Sequence, residues 1–155
     1  YRGLPEQKCV STPTQCVRYA SKISGPLLDR IDLHVEVQPV SARDLSAPSD
    51  GEPSSVVAAR VAAARDIQTE RYTGAIPRTN AEADGELLES VARPDAEGRA
   101  LLEQAAERLK LTARGYHRVL RVARTIADLA GARGVAKVHI AEALSLRQMD
   151  NAIRA

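Results

Sequence analysis

Residues 111–129 have the sequence LTARGYHRVLRVARTIADL, and this stretch decides the fold class. Thr112 is a favourable N-cap and Gly131 a favourable stop, so a helix is predicted from Thr112 to Ala130. Its apolar residues recur every three or four positions, as on one face of a helix. They are Val119, Val122, Ala123, Ile126 and Ala130. The stretch therefore predicts a long helix that packs one face into a helical core.

The opposite face of this helix, with Arg114, Arg118, Arg121 and Thr125, is predicted to be basic. Residues 109–126 carry five basic side chains and no acidic one, although the whole chain has 22 basic and 20 acidic residues. Arg114 falls in the first turn, where unpaired backbone N–H groups and the helix dipole favour an anion. Three further arginines either line a nucleotide cleft, face DNA or are merely solvated: Arg118, Arg121 and Arg124.

Comparable patterns predict more helices on both sides of this stretch. A capping box at residues 12–15 begins a helix over 13–23, and Asp95 caps one that runs to residue 109. Others are predicted over 55–73, 83–91 and 137–148. In the 55–73 helix the apolar stripe is Val57, Val61, Ala64 and Ile67. The chain is therefore expected to be mainly α and to form a helical bundle.

Composition sets limits on what the chain can be. Its 155 residues suffice for one ordinary domain, or for a small domain with part of another. The hydrophobic content is 44% without Phe or Trp, so the core must be aliphatic, and the net charge of +2 favours no particular partner. No apolar run approaches the ~20 residues of a membrane span. With only Cys9 and Cys16, a reduced, cytoplasmic protein without a metal site is expected.

A second informative stretch is SGPLLDRIDL, residues 24–33. Its Gly-Pro pair favours the start of a short helix, after which Arg30 lies between Asp29 and Asp32. A guanidinium held by a short, fixed element suits phosphate binding, because it is always charged and offers a rigid fork of donors. The alternative is a solvated, charged helix end.

Residues 31–37 then alternate between apolar and polar side chains, which predicts a half-buried strand with a solvated His34 on its polar face. Residues 46–55, SAPSDGEPSS, have the composition of a linker. A domain boundary is placed there.

These stretches carry a family resemblance. Residues 9–37 resemble the end of the ATPase core of ComM-type proteins, the magnesium-chelatase-like subfamily of AAA+ ATPases, and residues 111–129 resemble the helical lid of the same subfamily. Residues 60–80 match more weakly. The resemblance implies a helical-bundle lid over residues 56–150, preceded by a truncated α/β remnant of the core over residues 1–45. The phosphate-binding pattern G-x-x-x-x-G-K-[ST] does not occur, so this chain alone is not expected to hydrolyse ATP.

The resemblance also implies roles for individual arginines. Arg30 matches the arginine finger, which acts in trans on the nucleotide of a neighbouring subunit, and Arg114 matches the sensor 2 arginine, which contacts the γ-phosphate in its own subunit. Arg118 is a weaker nucleotide-binding candidate, and Arg121 and Arg124 are weaker DNA-binding candidates. The implied cofactors are ATP and Mg²⁺ in the parent protein, with none bound tightly to this chain. The implied partners are an N-terminal ATPase core, DNA, and copies of the chain in a ring, expected to be a hexamer.

Two alternatives remain open at this stage. One is a stand-alone helical module for nucleic-acid binding or oligomerisation, against which the near-zero net charge and the few aromatic residues count. The other is a magnesium chelatase subunit, although nothing in the sequence points to a porphyrin.

Overall fold

The computed structural model describes residues 11–28, 30–35, 37, 40–46, 48 and 51–147. Cys9, Asp29 and the predicted end of the last helix at Gln148 lie outside these residues. The helices are α1 (Pro13–Ala20), α2 (Gly25–Leu28), α3 (Ala42–Ser46), α4 (Ser54–Arg71), α5 (Gly85–Val91), α6 (Ala96–Leu109), α7 (Ala113–Leu129) and α8 (Lys137–Ser145). The mainly α fold class is thereby confirmed.

Helix α7 is the centre of the bundle. It packs against α8, α4 and α5, while α6 packs against α8. Leu120, Ala123 and Ala127 of α7 are almost fully buried, and so are Arg124 and Asp128. Because neighbours cover α7 on several sides, more than one face of it is buried, and the prediction of one packed face and one basic face was too simple.

The predicted helix starts are confirmed where a side chain caps them. The Thr112 hydroxyl accepts a hydrogen bond from the backbone N–H of Gly115 at 3.0 Å, and the Asp95 carboxylate accepts one from Gly98 at 2.7 Å. Thr12 and Gln15 form the predicted reciprocal box in front of α1. Each bond satisfies a backbone donor that the helix itself leaves unpaired.

The buried residues of α4 differ from the prediction. Val57 and Val61 of the predicted stripe are exposed, and the buried positions are Ala64 and Gln68. All residues of α4 from 54 to 63 are exposed, so only the C-terminal half of the helix is covered by the bundle. The predicted stripe is confirmed at Ala64 and fails at Val57 and Val61, because it assumed that one neighbour lies along the whole helix.

The predicted strand over residues 31–37 was wrong at every position that the structure describes, because Ile31–Val35 and Val37 have no strand conformation. Ile31, Leu33 and Val35 are exposed. His34, which was predicted to be solvated, is half-buried, and its backbone N–H donates to Leu146 O at 2.7 Å. A strand needs a neighbouring strand for its backbone groups, and within the described part of the chain the one bridge outside the helices is the isolated pair Pro94 and Val135. Alternation alone therefore did not produce a strand.

Gly98 is a position where the packing of α6 requires a glycine. A Cβ atom there would lie 2.9 Å from Asp95 Oδ1, 3.2 Å from Pro94 Cβ and 3.3 Å from Ile140 Cγ1. Alanine is otherwise the better helix former by about 1 kcal/mol. Packing and propensity therefore have opposite effects at this position.

We expect Gly98→Ala to lower the free energy of unfolding by about 1–3 kcal/mol, because overpacking outweighs helix propensity. Urea denaturation followed by circular dichroism measures this. The control is Gly134→Ala, where a Cβ atom meets nothing within 4 Å, so that change should be neutral or slightly stabilising. Equal effects of the two substitutions would contradict the packing explanation.

Candidate functional site

The structure separates the four arginines of α7 by what they contact. Arg124, Arg121 and Arg118 each face the carboxylate of an aspartate, namely Asp128, Asp84 and Asp32. These aspartates come from three different parts of the chain. The basic face that the sequence predicted is therefore largely neutralised in the fold.

Arg124 belongs to the interior and is only 2% exposed. Its Nε donates to Asp128 Oδ1 at 3.1 Å, and its other nitrogens donate to the backbone oxygens of Ala132 and Arg133 at 2.7 and 3.0 Å. Its guanidinium thus ties the end of α7 to the turn before α8. The expected contact of Arg124 with DNA does not fit this placement, since the charge is enclosed and already paired.

Asp128 is shared by a second arginine, Arg71 at the end of α4. Arg71 Nη1 donates to Asp128 Oδ2 at 2.7 Å and to Asn80 Oδ1 at 3.0 Å. The Asp128 carboxylate is completely buried, and it is the link that fastens α4 to α7. One buried carboxylate thus balances two guanidinium groups.

Other side chains complete this network around Asn80. The Tyr72 hydroxyl donates to Asn80 Oδ1 at 2.9 Å, and Asn80 Nδ2 donates to Asp128 at 2.8 Å and to the Thr125 hydroxyl at 3.1 Å. Gln68 Oε1 accepts the Asn80 backbone N–H at 3.3 Å. The sequence analysis did not predict this network, because it used residues 60–80, which include Gln68, Arg71 and Asn80, only for the weaker family match. The available signal was the spacing of four between Arg124 and Asp128 in an otherwise apolar stretch.

The ionisation of the network follows its geometry. Burial by itself would raise the pKa of the Asp128 carboxyl, but hydrogen bonds from Arg71 and Asn80 and the charge of Arg124 outweigh it, so the pKa lies below its usual range. The hydrogen bond to Asp128 raises the pKa of Arg71. Burial lowers the pKa of Arg124 and raises that of Tyr72. The aspartate is therefore ionised over the whole physiological range.

Arg121 lies at the surface between α7 and the start of α5. Its Nε donates to the backbone oxygen of Ala83 at 2.8 Å, and Nη2 donates to Asp84 at 3.1 Å. His117 Nδ1 is 3.8 Å from the same carboxylate. Arg121 therefore holds the chain that leads into α5, and its charge is largely balanced there.

Arg118 joins α7 to the stretch that carries Arg30. Its Nη1 donates to the backbone oxygen of Arg30 at 2.5 Å and to the carboxylate of Asp32. The Arg30 side chain itself is exposed. The structure thus brings residues 30–32 to the side chain of Arg118, which follows Arg114 on α7 by four positions, about one helical turn.

Arg114 differs from the other arginines of α7. It is exposed and occupies the second position of the helix after the Thr112 cap, and its side chain has no ion pair or hydrogen bond with any residue that the structure describes. The first turn of α7 contains no acidic residue. A guanidinium next to unpaired helix N–H groups makes a site that an anion can reach.

Two clefts lie elsewhere on the bundle. One, of about 420 Å³, is bounded by α5, α6 and α7 and lined by Arg93, Arg99 and Tyr116 among others. The other, of about 250 Å³, lies between α4 and the end of α7, above Asn80. Neither is lined by Arg30 or Arg114, so these two arginines do not belong to the clefts.

Fold and site together define a helical domain whose central helix presents an anion-accessible N-terminus. Residues 51–147 match the family model "Magnesium chelatase, subunit ChlI C-terminal", and residues 1–45 match "Magnesium chelatase, subunit ChlI". The chain belongs to this magnesium-chelatase-like family, as the sequence resemblance implied.

Similar proteins from other organisms support the same family assignment. An uncharacterized protein of Mycobacterium tuberculosis H37Rv is 43% identical over 142 residues, and competence protein ComM of Haemophilus influenzae is 40% identical over 140 residues. Protein YifB of Escherichia coli is 36% identical over 140 residues. These matches cover 90–92% of this chain but only 27–28% of each relative. In the part of the chain that the structure describes, no helix is long and apolar enough to cross a membrane.

We expect Asp128→Asn to lower the free energy of unfolding by about 3–5 kcal/mol at pH 7, because the buried guanidinium of Arg124 and the partly buried one of Arg71 lose their counter-charge. Since the folded-state pKa of Asp128 is depressed, its carboxylate stabilises the fold fully above the unfolded-state pKa. This contribution is lost as the pH falls through the lower folded-state value, below about 4. The variant should lose that part of the pH dependence, as measured by urea denaturation between pH 3 and 7.

The control for this prediction is Asp84→Asn, which removes a carboxylate that is 74% exposed. Its cost should stay below about 1 kcal/mol, because exposed ion pairs are weak. If Asp128→Asn lowers the free energy of unfolding no more than the control does, the Asp128 carboxylate is not what balances Arg71 and Arg124.

Proposed function

We propose that this chain is part of a ring-forming AAA+ ATPase acting on DNA, to which it contributes the arginine finger Arg30 and the sensor 2 arginine Arg114. The proposal rests on the position of Arg114 and on the absence of a described counter-charge beside it. Of the arginines on α7 it is the one that no described carboxylate neutralises, and it stands in the first turn of the helix. ATP and Mg²⁺ would be bound chiefly by the rest of the protein.

The role of Arg114 follows from electrostatics. The γ-phosphate carries concentrated negative charge, and helix N-termini and arginine donors are its usual protein ligands. The Thr112 cap and the buried, adjacent Gly115 fix the backbone of this turn. Binding of a phosphate by Arg114 would therefore set the position of α7, and with it that of the bundle packed around α7.

The proposed role of Arg30 is supported by how the fold holds this residue. Its side chain is exposed, while its backbone is bound by Arg118. An arginine supplied to a phosphoryl group in the transition state is worth about 10³–10⁵ in rate in related nucleotide hydrolases. A finger acting in trans would make hydrolysis depend on assembly of the ring.

The DNA substrate is proposed from the relatives. One of them is named as a competence protein, and competence is the uptake of DNA. Branch migration or a related recombination step is the activity that we favour. Insertion of magnesium into a porphyrin is the weaker alternative, supported by the family description alone.

A stand-alone nucleic-acid-binding module is not favoured by the structure. Such a module needs free cations to replace the counter-ions of the phosphates, but the α7 face that would supply them is paired with Asp32, Asp84 and Asp128. The residues proposed from sequence for DNA contact, Arg121 and Arg124, both have protein partners. Contact with DNA is therefore assigned to other parts of the proposed assembly.

In the full-length protein, we expect Arg30→Ala to lower the ATP turnover rate by about 10³-fold or more while ATP binding is retained. Arg114→Ala should weaken ATP binding as well, because this arginine would contact the nucleotide of its own subunit. Turnover and equilibrium binding of a fluorescent ATP analogue measure the two effects separately.

The matched controls are Arg18→Ala and Arg108→Ala, which remove exposed arginines from the last turns of α1 and α6. Both should behave like the unaltered protein. Mixed rings test the action in trans. They combine Arg30→Ala subunits with subunits whose phosphate-binding loop G-x-x-x-x-G-K-[ST] has been inactivated. If the finger acts in trans, activity should recover, because the second kind of subunit supplies Arg30 to the intact loop of the first. Full activity of both Arg30→Ala and Arg114→Ala would exclude the proposed function.

The 155-residue chain alone is expected to bind Mg-ATP only weakly, with chemical-shift changes limited to residues near Arg114. An NMR titration with Mg-ATP, and another with forked DNA at two salt concentrations, measures this. A dissociation constant for ATP in the low micromolar range would contradict our proposal that ATP is bound chiefly by the rest of the protein.

A further inference from the structure

One contact in the structure links the segment that carries Arg30 to helix α7, which carries Arg114. Arg118 follows Arg114 by one helical turn, and its Nη1 donates both to the backbone oxygen of Arg30 and to the Asp32 carboxylate. The Arg118 side chain is 16% exposed, whereas that of Asp32 is 54% exposed. This ion pair spans 86 positions in sequence, so it is a genuine tertiary link between two segments.

A second contact holds the same segment to the bundle. The backbone N–H of His34 donates to Leu146 O at 2.7 Å, just beyond the end of α8. Both ring nitrogens of His34 and Nε of Arg118 are buried, and no described residue forms a hydrogen bond with them. The segment is therefore pressed against α7 and the end of α8, at a cost in polar desolvation.

We propose that Arg118 is a positioning residue that clamps residues 30–32 to the sensor helix α7, so that Arg30 and Arg114 move as one unit. This inference rests on the proposed function of those two arginines. Binding of a phosphate by Arg114 would fix the position of α7, and α7 would in turn fix the position of Arg30 through Arg118. The nucleotide state of one subunit would thereby reach the catalytic site of its neighbour.

The geometry assigns Arg118 to positioning rather than to nucleotide contact. The same nitrogen serves a backbone carbonyl and a carboxylate, both of which belong to the protein. Because the bond to the Arg30 carbonyl fixes the backbone, it leaves the Arg30 side chain exposed to act elsewhere. The carboxylate of Asp32 supplies the charge that holds Arg118 in place.

The test is a charge exchange. Arg118→Glu and Asp32→Arg are made singly and together, and the exposed ion pair between Lys137 and Glu97, at 3.1 Å, is exchanged in the same way as a control. Two measurements are made on each variant. One is amide hydrogen exchange of residues 33–35 in the 155-residue chain, and the other is ATP turnover by the full-length protein.

In the 155-residue chain, each single substitution should speed exchange of the His34 amide, which donates to Leu146 O, by about tenfold. The double substitution should reverse part of that change, because it restores the ion pair but not the hydrogen bond to the Arg30 carbonyl, which Glu cannot donate. In the full-length protein, each should lower kcat by about tenfold with KM changed less than about twofold, again with partial recovery in the double variant. Thermal unfolding of every variant checks that the bundle is intact. The Lys137 and Glu97 exchanges should leave all these quantities unchanged.

Three results would overturn the inference. Unchanged exchange at residues 33–35 would show that Arg118 does not clamp the segment. A raised KM for Arg118→Glu, with Asp32→Arg inert, would show that Arg118 binds nucleotide. Faster exchange with unchanged turnover would show a clamp that does not position Arg30. If Arg30→Ala and Arg114→Ala retain full activity, the proposed function fails by itself, while the exchange measurement still decides whether the clamp exists.

Discussion

The Asp128 carboxylate, buried between Arg71 and Arg124, is the interaction on which the rest of the bundle depends. It lies where α4, α7 and the turn before α8 meet. Arg71 of α4 and Arg124 of α7 bind it, and Arg124 also donates to the backbone oxygen of Ala132 in that turn. One buried and one partly buried cation around one anion are tolerable only because Asn80, Tyr72 and backbone oxygens satisfy the remaining donors and acceptors. The network thus fixes the angle and register of α4 against α7, which an aliphatic core rich in alanine specifies less sharply.

This constraint explains how a single helix serves both the core and the proposed site. The C-terminal half of α7 is immobilised by Asp128, Ala123 and Ala127, while its first turn stays at the surface with Arg114. Between these two ends, Arg118 and Arg121 bind the segments before the bundle and before α5. A helix held in this way transmits a displacement of its N-terminus to both of its neighbours. That property suits a domain that responds to a nucleotide, as we propose for this family member.

The sequence predicted the candidate site only in part. Thr112 and the arginine two positions later were recognisable because capping and first-turn chemistry are local. The partners of Arg118 and Arg121 were not, since Asp32 and Asp84 are 86 and 37 positions away. A row of arginines on a helical wheel therefore suggested a basic face where the fold builds three separate ion pairs. Arg124 shows the same limit, because a helical wheel does not predict which residues are buried once neighbours cover several sides of a helix.

By itself, the sequence determined most of the helices, the side-chain caps of α1, α6 and α7, and the family, because hydrophobic periodicity, capping and motif order are all properties of neighbouring residues. It gave no sign of the short helix α3. It also singled out Arg30 and Arg114 as candidates. Only the tertiary structure decided which charges remain available: Arg114 is exposed, whereas Arg118, Arg121 and Arg124 are paired. It also decided that residues 31–35 lie against the bundle without forming a strand. The physical reason is that strand pairing and the ion pairs of Arg118 and Arg121 need a partner from a distant part of the chain, and no local pattern encodes where that partner will be.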